Sequence, residues 1–366
     1  MGTIRTVGIR GAGLAGLTMA RELIRLEPDI SISVFDVRPR LPHPARTFCF
    51  FQKAGSFIPP CPSVTWPSVI FRGHSFERRV DVSRTPYTMI HGNDFFENLL
   101  IELESSGVSF QWGCRDVNIY GSAILVDGAS LDFDCVIDAA FQCTTASSAL
   151  WQSFAGIRIK APSPTFDPTT AILMDLRESS EAAPVSFFYI LPTSPTTALV
   201  EHTTFSSRPL PKQYHLEQCS SWIRSNIGEQ VENLEFEHGT IPMGLRIPHA
   251  EGSYVTGSNA GTVRPATGYA FSATQVHARR LSEQILRGAP NPRRSYPLWL
   301  TAGDNLFLQA LRRAPLSGRS LMETLLSRAP SRALIAFLSG DLSCTQALSV
   351  WFSIPKMAMI RALLRV

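Results

Sequence analysis

Thr6-Val7-Gly8-Ile9-Arg10-Gly11-Ala12-Gly13-Leu14-Ala15-Gly16-Leu17, near the start of the chain, sets a short strand-like run ahead of three glycines. Apolar residues then recur at helical spacing over 17–26. Each glycine has its own task in a strand-to-helix turn. Gly11 lets the chain reverse, Gly13 removes the Cβ that would block a pyrophosphate, and Gly16 lets the helix pack close to its strand. The helix start at Leu14 and Ala15 turns unpaired N–H groups and a positive dipole end toward the phosphates. Twenty residues after Gly16, the alternating run Ile30-Ser31-Ile32-Ser33-Val34-Phe35 stops at Asp36, where a carboxylate can take ribose hydroxyls. Alone, either feature also reads as a plain glycine turn or a strand-end acid; together they point to a dinucleotide in a Rossmann-like α/β domain.

With 366 residues the chain can bury a sizeable core, as one large or two interleaved domains. Charged residues are 17%, apolar ones 44%, and the mean hydropathy is +0.05, so some apolar surface is expected to stay exposed. A dispersed net charge of +4 without a zinc-finger or RNA-binding pattern argues against nucleic acid as a partner. Seven cysteines, an odd number without paired spacing, point to free thiols in a reducing cytoplasm, and none has the neighbours of a metal site. The first strand begins almost at Met1, so no signal peptide is expected, and no apolar run nears the roughly eighteen residues that cross a bilayer. Any membrane contact is therefore expected to be peripheral.

Residues 1–150 read as the cofactor domain, interrupted at about 41–90 by a partly β segment rich in Pro, Arg and aromatics. Within it, Phe95, Phe96, Leu99, Leu100 and Leu103 form one stripe and predict a helix over 93–106. Strand signals at 171–176, 185–191 and 197–202, joined by short turns, predict an antiparallel sheet in residues 151–245. Residues 246–300 return to the cofactor domain through Tyr254-Val255-Thr256-Gly257 and a helix over 273–286. The rest, 301–366, reads as helical, proline-punctuated and basic.

The run Gly257-Ser258-Asn259-Ala260-Gly261-Thr262-Val263-Arg264-Pro265-Ala266-Thr267-Gly268-Tyr269 resembles the second cofactor motif of the lycopene β-cyclases, most closely their bacterial branch. There a glycine-alanine-glycine turn precedes histidine-proline-x-threonine-glycine-tyrosine. The resemblance extends over most of the chain: the opening glycine motif, Arg46-Thr47-Phe48-Cys49-Phe50, Val136-Ile137-Asp138-Ala139, Trp151-Gln152-Ser153-Phe154-Ala155-Gly156, Leu173-Met174-Asp175 and residues 187–203. It implies a flavin-binding Rossmann-like domain of the hydroxylase and geranylgeranyl reductase type, joined to an antiparallel β-sheet substrate domain and a helical C-terminal region. It implies further an enzyme that closes the ψ-ends of lycopene, or a related linear carotenoid, to β-ionone rings. Reduced FAD is required although no net redox change occurs, with NAD(P)H as electron source. On the same resemblance Gly11, Gly13, Leu14, Ala15, Gly16, Asp36, Arg46, Gly257, Gly261, Arg264, Pro265, Thr267, Gly268 and Tyr269 hold the cofactor. The chain departs from the family where Arg264 and Arg46 replace histidines and Phe48 a tryptophan. An arginine beside the flavin would stabilise its anionic reduced form by charge.

Ring closure adds a proton to an unactivated alkene, lets the next double bond attack the tertiary cation, and removes a proton from the ring carbon. The site must supply an acid and a base and exclude water. In Leu199-Val200-Glu201-His202-Thr203, Glu201 matches the first glutamate of the family's leucine-glutamate-(acidic)-threonine strand, the essential one. Strand alternation puts Leu199, Glu201 and Thr203 on one face and His202 on the other. Burial in an apolar cavity would raise its pKa, as a proton donor needs; the other reading is a surface glutamate on an edge strand. Asp175 is the candidate to orient Glu201 across the sheet, whereas Asp138 reads as structural and His202 as a solvated strand residue. Phe187, Phe188, Tyr189, Phe205, Tyr269 and Phe271 either wall a polyene tunnel or form ordinary core.

From residue 305 onward eight Lys or Arg stand against two Asp or Glu, among apolar helical stretches at 331–338 and 357–364. Such helices either bind anionic headgroups with their apolar side buried or pack on the flavin domain. The expected location is the cytoplasmic face of a membrane, held peripherally. Two other functions share these features: a flavin monooxygenase or reductase acting on a polyene, and a non-catalytic carotenoid carrier.

Overall fold

The computed structural model describes residues 4–41, 46–53, 57, 60–141, 150–178, 182–244, 253–289, 295–313 and 315–356. The chain opens with β1 (Thr6–Arg10), α1 (Leu14–Leu26) and β2 (Ser31–Phe35). Five short strands follow, β3 (Thr47–Phe51), β4 (Ser63–Trp66), β5 (Ser68–Arg72), β6 (Glu77–Asp81) and β7 (Tyr87–His91). Next come α2 (Gly92–Ser105), β8 (Ser109–Gln111), the hairpins of β9 (Val117–Tyr120), β10 (Ala123–Val126) and β11 (Ala129–Asp132), and β12 (Cys135–Asp138). The middle of the chain holds β13 (Leu150–Lys160), β14 (Thr170–Asp175), β15 (Val185–Pro192), β16 (Thr197–Ser206), α3 (Lys212–Asn226) and β17 (Glu232–Met243). After β18 (Tyr254–Val255), a 3₁₀ turn (Gly257–Ala260) and α4 (Phe271–Leu286), four helices close the described chain. These are α5 (Leu298–Arg313), α6 (Pro315–Arg328), α7 (Ser331–Ser339) and α8 (Cys344–Ser353).

The cofactor domain is a five-stranded parallel sheet in the order β18-β12-β1-β2-β8. Val7, Ile9, Ile32, Val34 and Ile137 are buried between its helices, which accounts for the continuous apolar character of these strands. The stripe read over 93–106 lies on α2, and all five of its apolar residues are buried.

The second layer is a seven-stranded sheet, β17-β13-β16-β15-β14-β5-β6. The three strands expected in residues 151–245 are there as β14, β15 and β16, antiparallel neighbours. The sheet is wider than the sequence suggested. The long strands β13 and β17 add to one side, and β5 and β6 from the 41–90 segment add to the other, β5 running parallel to β14. The remaining strands of that segment form their own sheet, β3-β7-β4.

On one face of the large sheet, α3 packs its Cys219 and Trp222 against Phe188 and Val200. The other face shares a core with the C-terminal helices, and α6 packs on β5 and β15. The apolar side of α7, Ala333, Leu334, Phe337 and Leu338, is buried in that core, so this helix follows the packing alternative. The stretch at 357–364 lies outside the described residues. Among them, no single helix is long and apolar enough to cross a membrane; α7 and α8 together pass that measure but are bent by 108°.

Candidate active site

At the carboxyl ends of β1 and β2 lies a cleft of about 600 Å³, lined by Gly11, Gly13, Leu14, Ala15, Asp36, Arg46, Gly257 and Gly268 among others. Gly11 has φ +99°, the left-handed region, and its missing Cβ would fall 2.9 Å from Ala140 N. Gly13 caps α1 without a side-chain hydrogen bond. A Cβ there would meet nothing closer than Arg38 Nη2 at 3.7 Å, whereas one on Gly16 would fall 1.9 Å from the Gly11 carbonyl oxygen. Gly13 therefore bounds the cleft, while Gly16 serves the packing of α1 on its turn.

Asp36 Oδ2 accepts the Ala12 N–H at 2.6 Å, and its two oxygens take Arg38 Nε at 3.0 Å and Nη2 at 2.6 Å. Burial alone would push this carboxyl up, but the hydrogen bonds and charge of Arg38 outweigh it and hold it below its ordinary value. Nothing in the spacing of the motif singled out Arg38.

A second cleft of about 340 Å³ adjoins the first, and Leu14, Arg46, Phe48, Thr240, Gly268 and Ala270 line both. Its wall carries Glu201. The registers are decisive: Gly156 on the middle strand β13 pairs with Glu201 of β16 on one side and with Glu237 of β17 on the other. Two strand spacings, roughly 10 Å, separate the glutamate backbones. With no side chain on Gly156, nothing at that position stands between the two glutamates, and each carboxyl acts on the proton affinity of the other. A Cβ at 156 would sit 3.3 Å from Glu201 Cβ and 3.4 Å from Glu237 Cγ.

Thr203 Oγ1 donates to Glu201 Oε1 at 2.8 Å, and Thr47 Oγ1 to Glu237 Oε2 at 2.5 Å. Burial drives the Glu201 carboxyl well above the usual carboxylate range, and the Glu237 charge drives it further. Burial also raises Glu237, opposed by the Thr47 hydrogen bond and the Arg158 charge. Three phenols and a thiol beside the pair are neutral. Tyr189 stands in register with Glu201 and lines the same cleft as Tyr269, whose hydroxyl lies 3.1 Å from that of Tyr87. Burial pushes all three phenols and the Cys49 thiol up, so each keeps its proton.

The other expected residues fall in different places. Thr267 and Tyr269 line the second cleft. Gly268 has φ +72°, and a Cβ there would fall 2.1 Å from Gln152 Oε1. Gly261, also left-handed at φ +72°, closes the 3₁₀ turn, and Pro265 is buried; neither lines a cleft. Arg264 is fully buried in a two-pronged ion pair with Asp304 of α5, both hydrogen bonds 3.0 Å, over the Phe337 ring. Its side chain thus ties α5 and α7 to the cofactor turn. Asp175 aligns with Phe188, which in turn aligns with His202 rather than Glu201, and its carboxylate binds Arg177 at 2.8 and 2.6 Å.

His202 does lie on the face opposite Glu201, but it is buried rather than solvated. Its Nε2 lies 2.8 Å from Ser186 Oγ and its Nδ1 2.9 Å from His215 Nδ1 of α3. Burial lowers the two imidazoles to about 3 and about 4. Of the six aromatics, Tyr189, Tyr269 and Phe271 line the cleft, Phe187 and Phe205 belong to the core facing the helices, and Phe188 packs under α3.

Buried polar atoms without a protein partner collect here: Asn259 Oδ1 on the first cleft, Gln152 Oε1 and Thr267 Oγ1 on the second. A pair of joined clefts with a glycine turn, a strand-end acid and unsatisfied polar atoms suits a dinucleotide with a polar ring system; the protonated carboxyl beside it suits proton donation to an apolar molecule.

The chain is similar to the chloroplast lycopene beta cyclase of Nicotiana tabacum, 23% identical over 310 residues, 78% of this chain and 61% of the tobacco protein. It is 25% identical over 284 residues to the lycopene beta-cyclase of Paracoccus sp., covering 73% of this chain and 71% of that one. Its fold is that of a geranylgeranyl bacteriochlorophyll reductase-like protein from Thermoplasma acidophilum, with TM-score 0.59, 15% identity and 99% and 96% of the two chains covered. The model of the family described as lycopene cyclase protein matches residues 7–364, and the chain belongs to that family.

Proposed function

We propose that this protein binds FAD in the first cleft and closes the ψ-ends of lycopene, or a related linear carotenoid, held in the second. The observation that carries this reading is the Glu201 carboxyl, pushed above the carboxylate range on a cleft wall that continues into the cofactor cleft. The unpartnered Asn259, Gln152 and Thr267 oxygens supply acceptors for ring and ribityl donors, so the residues fit a flavin. When bound and reduced, with NAD(P)H as electron source, the flavin supplies negative charge beside the polyene.

Glu201 gives its proton to the alkene, and its O–H bond breaks as a C–H bond forms. The next double bond attacks the tertiary cation, and the ring carbon then loses a proton to the carboxylate side of the site, leaving no net redox change. Tyr189 and Tyr269, kept neutral by burial, face the cation with π-electrons rather than competing as bases. The walls exclude water that would capture the cation.

A long hydrocarbon substrate favours docking at a membrane surface. Leu298, Trp299, Leu348, Trp351 and Phe352 are exposed around the groove between α5 and α8, and Lys356 Nζ lies 4.6 Å from the Phe352 ring centroid. Aromatic side chains with adjacent cations suit an interface.

Glu201→Gln tests the reading in the purified flavin-loaded protein given lycopene. FAD content should stay as in the parent while conversion falls by roughly a hundredfold or more. Conversion at the parental rate would remove Glu201 as the acid.

A further inference from the structure

Glu237 is as buried as a core residue, 4% exposed, and carries a carboxyl that the acid role of Glu201 does not by itself require. Three independent features bring it to the site. The register sets it opposite Gly156, the position that also faces Glu201; position 156 lacks the Cβ that would crowd both glutamates; and Thr47 donates a hydrogen bond that fixes one of its oxygens. An isolated buried glutamate beside another is costly unless a proton lies between them.

We propose that Glu237 and Glu201 form a carboxyl pair holding one proton across Gly156, in which Glu237 is the positioning residue that keeps the proton on Glu201 at the cleft wall. The assignment rests on the reading of Glu201 as the acid. It also answers where the second proton of the cycle goes. Once Glu201 has protonated the alkene, the pair carries two adjacent negative charges and is a strong base. The proton that leaves the ring carbon restores an O–H bond in the pair, which ends the cycle with the single proton it began with.

The groups facing the pair from the surrounding elements are Tyr189, Tyr269, Cys49 and Arg46, with Arg158 and Glu235 beyond Glu237. Tyr189, Tyr269 and Cys49 stay neutral, so near pH 8 the Glu237 charge is the one pressing the proton onto Glu201, and Arg46 and Arg158 oppose it.

The test is infrared spectroscopy of the full-length flavin-loaded protein with ¹³C-labelled glutamate, titrated between about pH 5 and pH 9, beside the pH profile of lycopene conversion. The parent should show one protonated glutamate band that persists at pH 8 and is absent in E201Q. In E237Q the midpoint of that band should move down by about one pH unit or more, a tenfold change in proton affinity. Its conversion should fall about tenfold at pH 8 and less at pH 6, with E237D restoring part of the loss. Should E237Q not fold, G156A keeps both glutamates and should draw their two titration midpoints together. An unmoved midpoint in E237Q or G156A, or no protonated band in the parent at pH 8, overturns the pairing while E201Q can still be inactive. Conversion retained by E201Q overturns the acid reading and the proposal with it.

Discussion

A methyl group added at Gly13 meets open cleft, and one added at Gly16 meets a carbonyl oxygen at 1.9 Å, though both glycines belong to one motif. Gly13→Ala is therefore expected to keep a melting temperature within a few degrees of the parent and to weaken FAD binding about tenfold, about 1.4 kcal/mol. Gly16→Ala should cost more than about 2 kcal/mol in unfolding free energy. Thermal melts and flavin fluorescence titrations separate the two, and parental FAD affinity in Gly13→Ala would contradict the assignment of the first cleft. These glycines and Asp36 were legible because their chemistry is local: turn, close approach and strand end lie within thirty residues. Glu237 was not. The run Glu235-Phe236-Glu237-His238 alternates like a solvent-facing strand, and only the register across Gly156 turns its second glutamate inward. Arg264 misled for the converse reason: it sits inside a cofactor motif, but its partner Asp304 comes from a helix that no local pattern connects to it. Losing either member of that buried pair would strand a charge, a cost of about 3–5 kcal/mol.

The helices of the cofactor domain were readable from their apolar stripes, and the strands of residues 151–245 from short apolar runs bounded by turns, which is how strands buried on both faces read. The outer strands of the large sheet were not, since β5 joins parallel to β14 across about a hundred residues of chain and no short-range signal encodes that pairing. In the C-terminal region composition marked apolar helices but not which face would be covered. α7 is buried, whereas α8 keeps Leu348, Trp351 and Phe352 in the open, with Trp299 of α5 beside them. Trp351→Ser with Phe352→Ser should leave the fold and FAD content intact and lower binding to anionic lipid vesicles about tenfold, roughly 0.7 kcal/mol per ring. Sedimentation with vesicles reads this directly, and unchanged binding, or no binding by the parent, would overturn the proposed membrane contact at this groove.

At the level of the whole molecule, the two sheets bound two clefts that share one wall, lined on both sides by Leu14, Arg46, Phe48 and Gly268. The parallel sheet delivers the glycine turn and Asp36, and the wide sheet delivers Glu201, Glu237 and Tyr189 in one row. Neither layer has the site alone, and the same layers serve a reductase-like protein, so chemistry depends on the row of residues and not on the fold. In the proposed cycle a carboxyl proton enters the polyene and another leaves it. Lycopene supplied to the protein with reduced FAD, under anaerobic conditions in heavy water, tests this by mass spectrometry of the pigment. The expected product is cyclic, carries one deuterium in place of hydrogen for each ring formed and is otherwise isomeric with lycopene. A product heavier by an oxygen or by an added pair of hydrogens, or a ring containing no deuterium, would contradict it.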